Sequence, residues 1–393
     1  MEKLIQKFKI PNKKIETWKF TDLKKNFEKN NFKPLKKINS KNSEINISNN
    51  IFFDSNSNFV IFHNGYLNKI NNATNDFELK KSKEIQGKNK DEKKIFKRSD
   101  NLLDINESFL NEKIEIKVKK NTKIKDPIFI FYYNTENKQK YLINNRVDII
   151  LEENSEAEIN EIFFSDKNSC YWNNVHNFIT LGKNAKLDHY KIQLESYKAL
   201  HSSSANINCH NASIYNNFIY SVGGEMSRIE VISSINSSDV DFNIKGLYLA
   251  KTNQHHDITT LMQHKHPESK SNQHIKGILH KNSSGVFQGK VIVSKDAQKT
   301  DAFQFNQNLL LSEKAEVNAK RELEIYADDV KCSHGATTGE LDEEMLFYLR
   351  SRGLNYKEAK KILVEGFINE LFENIKNTEL KKKLFLTSKK EVY

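Results

Sequence analysis

The chain has 393 residues, 37% hydrophobic and 10% aromatic, with 25 Phe and 14 Tyr but only 13 Gly and 4 Pro. That is length for two or three domains and material for a large core, and it excludes a disordered, collagen-like or linker-dominated chain. The net charge of +11 comes from 62 basic and 51 acidic residues spread along the whole sequence, and with no Arg/aromatic stripe it argues against a nucleic-acid-binding protein.

Taken in order, residues 1–30 read as basic and helical, interrupted at Pro11, with Trp18 and Phe20 as apolar anchors. Trp18 is expected simply to dock this segment on the core, because large aromatics dominate packing. Residues 31–58, rich in Asn, Ser and Lys, read as loop or poorly ordered chain. Phe59-Val-Ile-Phe-His-Asn-Gly65 reads as a strand ending in a turn. Residues 79–100 are strongly charged and read as a solvated helix or loop, and residues 102–110 as a short helix.

From residue 113 the pattern changes. Short apolar strands recur at Ile114–Val118, Pro127–Tyr132, Arg146–Leu151, Phe178–Leu181 and Val291–Val293. Between several of them lies one kind of corner, polar residues around an Ala: Asn154-Ser-Glu-Ala157, Lys183-Asn-Ala-Lys186, Asp296-Ala-Gln298 and Lys314-Ala-Glu316. A strand–corner–strand unit repeated over ~200 residues without helical periodicity predicts a solenoid of stacked strands, with a β-sandwich or barrel as the alternative.

After residue 340 the period becomes helical. Residues 342–350 predict a short helix stopped by Gly353. Asn355 and Glu358 stand in capping-box register before a helix with Ala359, Ile362, Leu363, Phe367, Leu371 and Phe372 on one apolar stripe. Residues 378–386 predict a final helix.

The densest chemistry is Cys332-Ser-His334. On a strand the thiol and the imidazole share one face, whereas on a helix they would lie roughly 200° apart. Two such donors make half of a site, since zinc or an iron–sulfur cluster takes about four protein ligands. Cys170, Cys209 and Cys332 are far apart and lack CxxC spacing, which excludes a disulfide framework and points to a reducing compartment. His255, His256, His264, His266, His274 and His280 lack a fixed ligand spacing and read as surface and core histidines. Gly285-Val-Phe-Gln-Gly-Lys290 departs from a phosphate loop in spacing and in the residue after Lys, so it reads as a turn and no nucleotide site is expected. Asp328 and Asp329 alternate to opposite faces, which disfavours paired-carboxylate chemistry. No apolar run approaches the ~20 residues of a membrane span, and the first residues lack a signal-peptide core. A cytoplasmic protein is expected.

The stretch ADDVKCSHGATTGELDEEMLFYLRSRG, gap-free over residues 327–353, resembles the SufB/SufD family of the SUF iron–sulfur cluster assembly system. Further matches are Glu16-Thr-Trp-Lys-Phe-Thr21, Gly246-Leu-Tyr248, Lys276-Gly277, Lys299-Thr-Asp-Ala302 and Asn308-Leu-Leu-Leu-Ser312. Leu349 stands where SufB-type chains carry a Cys, so the resemblance is to the SufD branch. Lys320-Arg321 departs from the family, which usually has a Pro before the Leu-Glu-Ile strand.

The resemblance implies a right-handed parallel β-helix core flanked by helical domains, divided as residues 1–112, 113–335 and 336–393. It implies a non-catalytic scaffold on which a nascent iron–sulfur cluster is shared with a partner subunit, with no nucleotide bound by this chain. His334 would hold the cluster and Cys332 would assist. His264, which recurs in the family, would support the site from behind. The partners implied are a SufB homologue joined through the β-helix, with a homodimer as the other pairing, and the SufC ATPase joined through the C-terminal helices. Arg350, Arg352 and Phe367 are the candidate SufC contacts. The competing reading from the residues alone is a stand-alone β-helix enzyme acting on polysaccharide.

Overall fold

Strands of about ten residues, turned by tight corners, coil the chain into a solenoid with two faces. The computed structural model describes residues 8–35, 47, 50–72, 77–82 and 100–392. One sheet contains β4 (Phe77–Ser82), β5 (Glu112–Val118), β7 (Tyr141–Leu151), β9 (Tyr171–Leu181), β11 (Leu200–Cys209), β13 (Met226–Ile235), β15 (His255–His264), β17 (Ser284–Val293) and β19 (Glu316–Ile325), with β1 (Lys33–Pro34) beside β7. The other contains β2 (Asn58–His63), β3 (Tyr66–Asn71), β6 (Ile128–Asn134), β8 (Glu156–Ser165), β10 (Lys186–Leu194), β12 (Ile214–Ser221), β14 (Asp241–Ala250), β16 (Lys270–Leu279), β18 (Asp301–Leu310) and β20 (Lys331–Gly339). The chain alternates between the sheets from β5 onward, so each strand pairs in parallel with the next strand of its own sheet. The result is a mainly β solenoid of about 8 turns with helices at both termini.

The repeated corner has a physical origin. Asn154 and Asn184 adopt left-handed backbone with φ of 57° and 55°, a conformation that Asn tolerates better than most residues. Their amides stack from turn to turn: Asn184 donates to Asn154 and Asn154 to Asn121, each at 2.9 Å. The alanines that follow, Ala157, Ala185, Ala297 and Ala315, are buried against the core.

Each of the five strand segments read from sequence lies mainly or wholly within a strand. The other rungs lack an apolar alternation in the sequence because their inward positions carry polar residues such as His189, Lys191, Gln193, Ser203 and Gln273, all buried. Gly285–Lys290 is not a turn. It lies inside β17, and its glycines are required by close approach. A Cβ on Gly285 would lie 2.6 Å from the Tyr248 ring, and one on Gly289 only 1.9 Å from Gln304 Nε2. Of residues 79–100, the first four extend β4, against the expected helix or loop; residues 83–99 lie outside the described residues. Ile47 and Phe52, within the polar stretch 31–58, are buried; residues 36–46 and 48–49 lie outside the described residues, as do residues 1–7.

The two outer faces are covered differently. On the first sheet lie a 3-10 turn (Glu16–Trp18), α1 (Leu23–Asn30) and α2 (Leu102–Ser108), packing Trp18, Leu23 and Phe32 against Trp172, Leu200 and Met226. On the second sheet lie the C-terminal helices α4 (Tyr356–Phe372) and α5 (Thr378–Val392), preceded by α3 (Glu343–Ser351). The capping box of Asn355 and Glu358 is present, and Gly353 turns the chain with φ of +96°. Val364, Ile368, Leu371 and Phe372 pack on Tyr190, Phe218, Tyr220 and Leu247. The predicted stripe was slightly misplaced: Ile362 is 46% exposed, while Val364 and Ile368 are buried.

The two ends of the solenoid also differ. At the first end, β3 and β4 pair antiparallel with β2 and β5 and finish the two sheets. At the other end β19 and β20 are the outermost strands, each paired on one side only among the described residues.

Candidate functional site

Cys332 and His334 lie in β20, on the last rung. In the ladder to β18, Cys332 is opposite Ala302 and His334 opposite Gln304, and both of those side chains are buried in the interior. The two donors therefore share the inward face, as their spacing requires, about 6.6 Å apart along the strand. Because no further rung among the described residues covers them, Cys332 is half-buried and His334 exposed. Burial pushes the Cys332 thiol above its usual pKa, so ligation at neutral pH would displace its proton.

The interior below this rung becomes polar. Thr260 donates to Gln273 Oε1 at 2.5 Å, and Gln304 Nε2 lies 3.4 Å from the same oxygen. Gln304 Oε1 is buried with no donor among the described residues. On the opposite strand of the last rung, Arg321 pairs in register with Gly289 and shares the inward face with Val317 and Leu323, which pack on the core. In the sequence Arg321 stands out only as a departure from the family pattern. Counting alternate residues back from Leu323 would have placed it inside.

The histidine-rich stretch does not converge. His255 Nε2 contacts the Thr21 hydroxyl at 2.8 Å on the outer face. His256 points inward to Ser221 at 2.8 Å, and burial pushes its pKa down to about 3. His274 pairs with Gln307, and His266 is exposed. His264 is fully buried and 2.9 Å from the Ser271 hydroxyl, with its pKa pushed down to about 4 by burial. Ser271 and Cys332 share a column with Ala302 between them. His264 is thus two rungs below Cys332, about 9–10 Å at ordinary strand spacing. Among the described residues, no three His, Cys, Asp or Glu side chains group as a metal site. Asp328 and Asp329 are both exposed, in the turn before β20.

The C-terminal candidates separate. Arg350 and Arg352 are exposed, and Arg352 lies over the Tyr348 ring at 5.2 Å. Around them α3 exposes Met345, Phe347 at 73% and Tyr348. Phe367 instead is half-buried against the body: the Lys276 ammonium is 4.3 Å from its ring and donates to its carbonyl oxygen at 3.0 Å.

A family model described as "SUF system FeS cluster assembly, SufBD core domain" matches residues 131–367. A SufBD family protein of Synechocystis is 27% identical over 97% of this chain and 87% of its own length. The iron–sulfur cluster assembly protein SufD of Escherichia coli is 30% identical over 72% of this chain and 67% of its own length. The chloroplastic protein ABCI7 of Arabidopsis thaliana is 33% identical over 68% of this chain and 58% of its own length. The parallel solenoid, the Cys332–His334 rung and these matches together make the chain a SufD-like member of the SufBD family of iron–sulfur cluster assembly proteins.

Proposed function

We propose that this chain is a non-catalytic scaffold subunit, working in the cytoplasm, that contributes His334, assisted by Cys332, to a nascent iron–sulfur cluster shared with a SufB-type homologue. The carrying observation is the last rung: two inward donors at an end where both sheets stop with free edges. A free edge is a template for another chain, and the homologue's own solenoid is the chemistry that fits it. The remaining ligands come from that subunit, since two donors fall short of the usual four.

The ATPase of the system docks on the C-terminal helices. The exposed face of Met345, Phe347, Tyr348, Arg350 and Arg352 supports this contact, an apolar and aromatic patch rimmed by cations. Phe367 contributes from its half-buried place beneath Lys276. ATP-driven pairing of two ATPase subunits pulls on the helical tails, shifts the solenoids and opens the shared site to iron and sulfur.

The test is His334→Ala in the complex co-expressed with the homologue and the ATPase. Cluster content is expected to collapse while the complex still elutes intact, and Cys332→Ser is expected to lower it less. A full cluster on an intact His334→Ala complex would remove the ligand role. Purification without any partner would favour a stand-alone protein.

A further inference from the structure

The inward face of the last rung carries one permanent cation. On β19 the inward positions are Val317, Ala319, Arg321, Leu323 and Ile325; on β20 they are Cys332, His334, Ala336 and Thr338. Arg321 is half-buried. The two fully buried arginines among the described residues are each paired with carboxylates: Arg146 with Asp148 at 2.7 Å, and Arg228 with Glu230 at 2.7 Å and Asp257 at 2.6 Å. Arg321 has no such partner among the described residues, and its Nε is buried without an acceptor. The acids beside it are engaged on the outer face, Glu322 with Lys320 and Glu324 with Lys290.

The rung below fixes what Arg321 faces. The Gln304 amide reaches across the interior to the backbone of Gly289, so close that a Cβ there would be 1.9 Å from it. Arg321 stands in register on Gly289, and His334 stands in register on Gln304. The residues one rung up therefore face each other across the open end as their supports do. A guanidinium is always charged and offers a fork of donors. A buried donor without an acceptor is destabilising, and an arriving anion relieves that cost.

We infer that Arg321 is an anion-holding residue of this site, whose guanidinium donates hydrogen bonds to inorganic sulfide of the nascent cluster opposite His334. The inference rests on the reading of His334 as a ligand. Sulfide in a thiolate-bound cluster is an anionic acceptor, and hydrogen bonds to cluster sulfur tune its potential. No bond is made or broken by the arginine; it holds charge in place while iron is ligated by other groups.

The test uses the full chain in complex with its homologue, reconstituted with ferrous iron and sulfide, comparing wild type, Arg321→Gln, Arg321→Lys and His334→Ala. Bound sulfide, midpoint potential and affinity between the subunits are measured. Arg321→Gln is expected to lose bound sulfide several-fold and to move the potential of the residual cluster more negative, with subunit affinity unchanged; Arg321→Lys is expected to recover most of the sulfide. Wild-type sulfide content and potential in Arg321→Gln would overturn the proposal. So would weaker subunit pairing with unchanged sulfide per complex, which would make Arg321 an interface ion-pair residue. A wild-type-like His334→Ala would instead sink the ligand reading beneath it.

Discussion

The Arg228 guanidinium lies 3.9 Å from the centre of the Trp18 ring. The same arginine donates to the Thr17 carbonyl oxygen at 2.7 Å, and the indole Nε1 donates to Asp100 at 3.1 Å. One buried stack thus ties the N-terminal segment to the outer face of the first sheet. Trp18→Ala is expected to cost about 3–5 kcal/mol, as for other buried large-to-small changes. Urea denaturation measures it, and a loss below about 1 kcal/mol would mean that the segment is not anchored there.

Stability should fall as the medium is acidified, starting well above the carboxylate range. His256 and His264 are held neutral by burial, with pKa values pushed down to about 3 and about 4. Between these values and the unfolded value near 6.5, the unfolded chain binds the extra protons. Each group then removes roughly 1.4 kcal/mol per pH unit of acidification. For His264 the loss runs from about pH 6.5 down to about 4 and then levels off. Denaturation at pH 7.5 and 5 checks the sign, and His264→Gln should flatten the dependence by one proton's share.

Glu161 makes stability depend on pH over a different range. Burial raises the Glu161 carboxyl, but the Lys191 charge and the His189 contact at 2.8 Å outweigh it and hold its pKa well below the usual range. A depressed carboxylate stabilises the fold above its unfolded pKa and loses that contribution as pH falls toward the folded value. Glu161→Gln should therefore make stability less sensitive to acid below about pH 4.5, while destabilising the protein at pH 7 through the unpaired Lys191.

The Gly289–Gln304 contact predicts a coupled pair. Gly289→Ala should cost about 1–3 kcal/mol by overpacking the interior. Removing the obstructing amide with Gln304→Ala should recover part of that loss, so the double-mutant cycle should show coupling above about 0.5 kcal/mol. Additive losses would mean that the two side chains do not meet.

On α3, Phe347 and Tyr348 are exposed and leave the body's packing untouched. Replacing both by Ser should change stability by no more than about 0.5 kcal/mol per site yet sharply reduce co-purification of the ATPase. Undiminished capture would move the docking face elsewhere.

Much of the fold was legible because the corners repeat. An Asn that accepts left-handed backbone, followed by a small Ala turned inward, is a local requirement, and it marked the solenoid at Asn154 and Asn184. The capping box at Asn355 and the stop at Gly353 were equally local. The rungs between were hidden where inward positions hold His189, Lys191 or Gln273, because a hydrogen-bonded interior breaks the apolar alternation on which strand recognition depends. The Gly285–Lys290 segment was misread for a related reason: glycines that make room for Tyr248 and Gln304 look like turn glycines until the neighbouring strand is known.

The sequence alone determined that Cys332 and His334 would share a face if their segment were a strand, since a strand alternates with a period of two, and that this pair cannot complete a coordination sphere by itself. It also carried the family resemblance. Only the tertiary structure decided that this face is the open last rung, that His264 lies two rungs beneath it, and that Arg321 and His334 stand in register on Gly289 and Gln304, which meet across the interior one rung below. Register between strands some thirty residues apart sets those neighbours, and register is fixed by the packing of the whole interior rather than by any one segment.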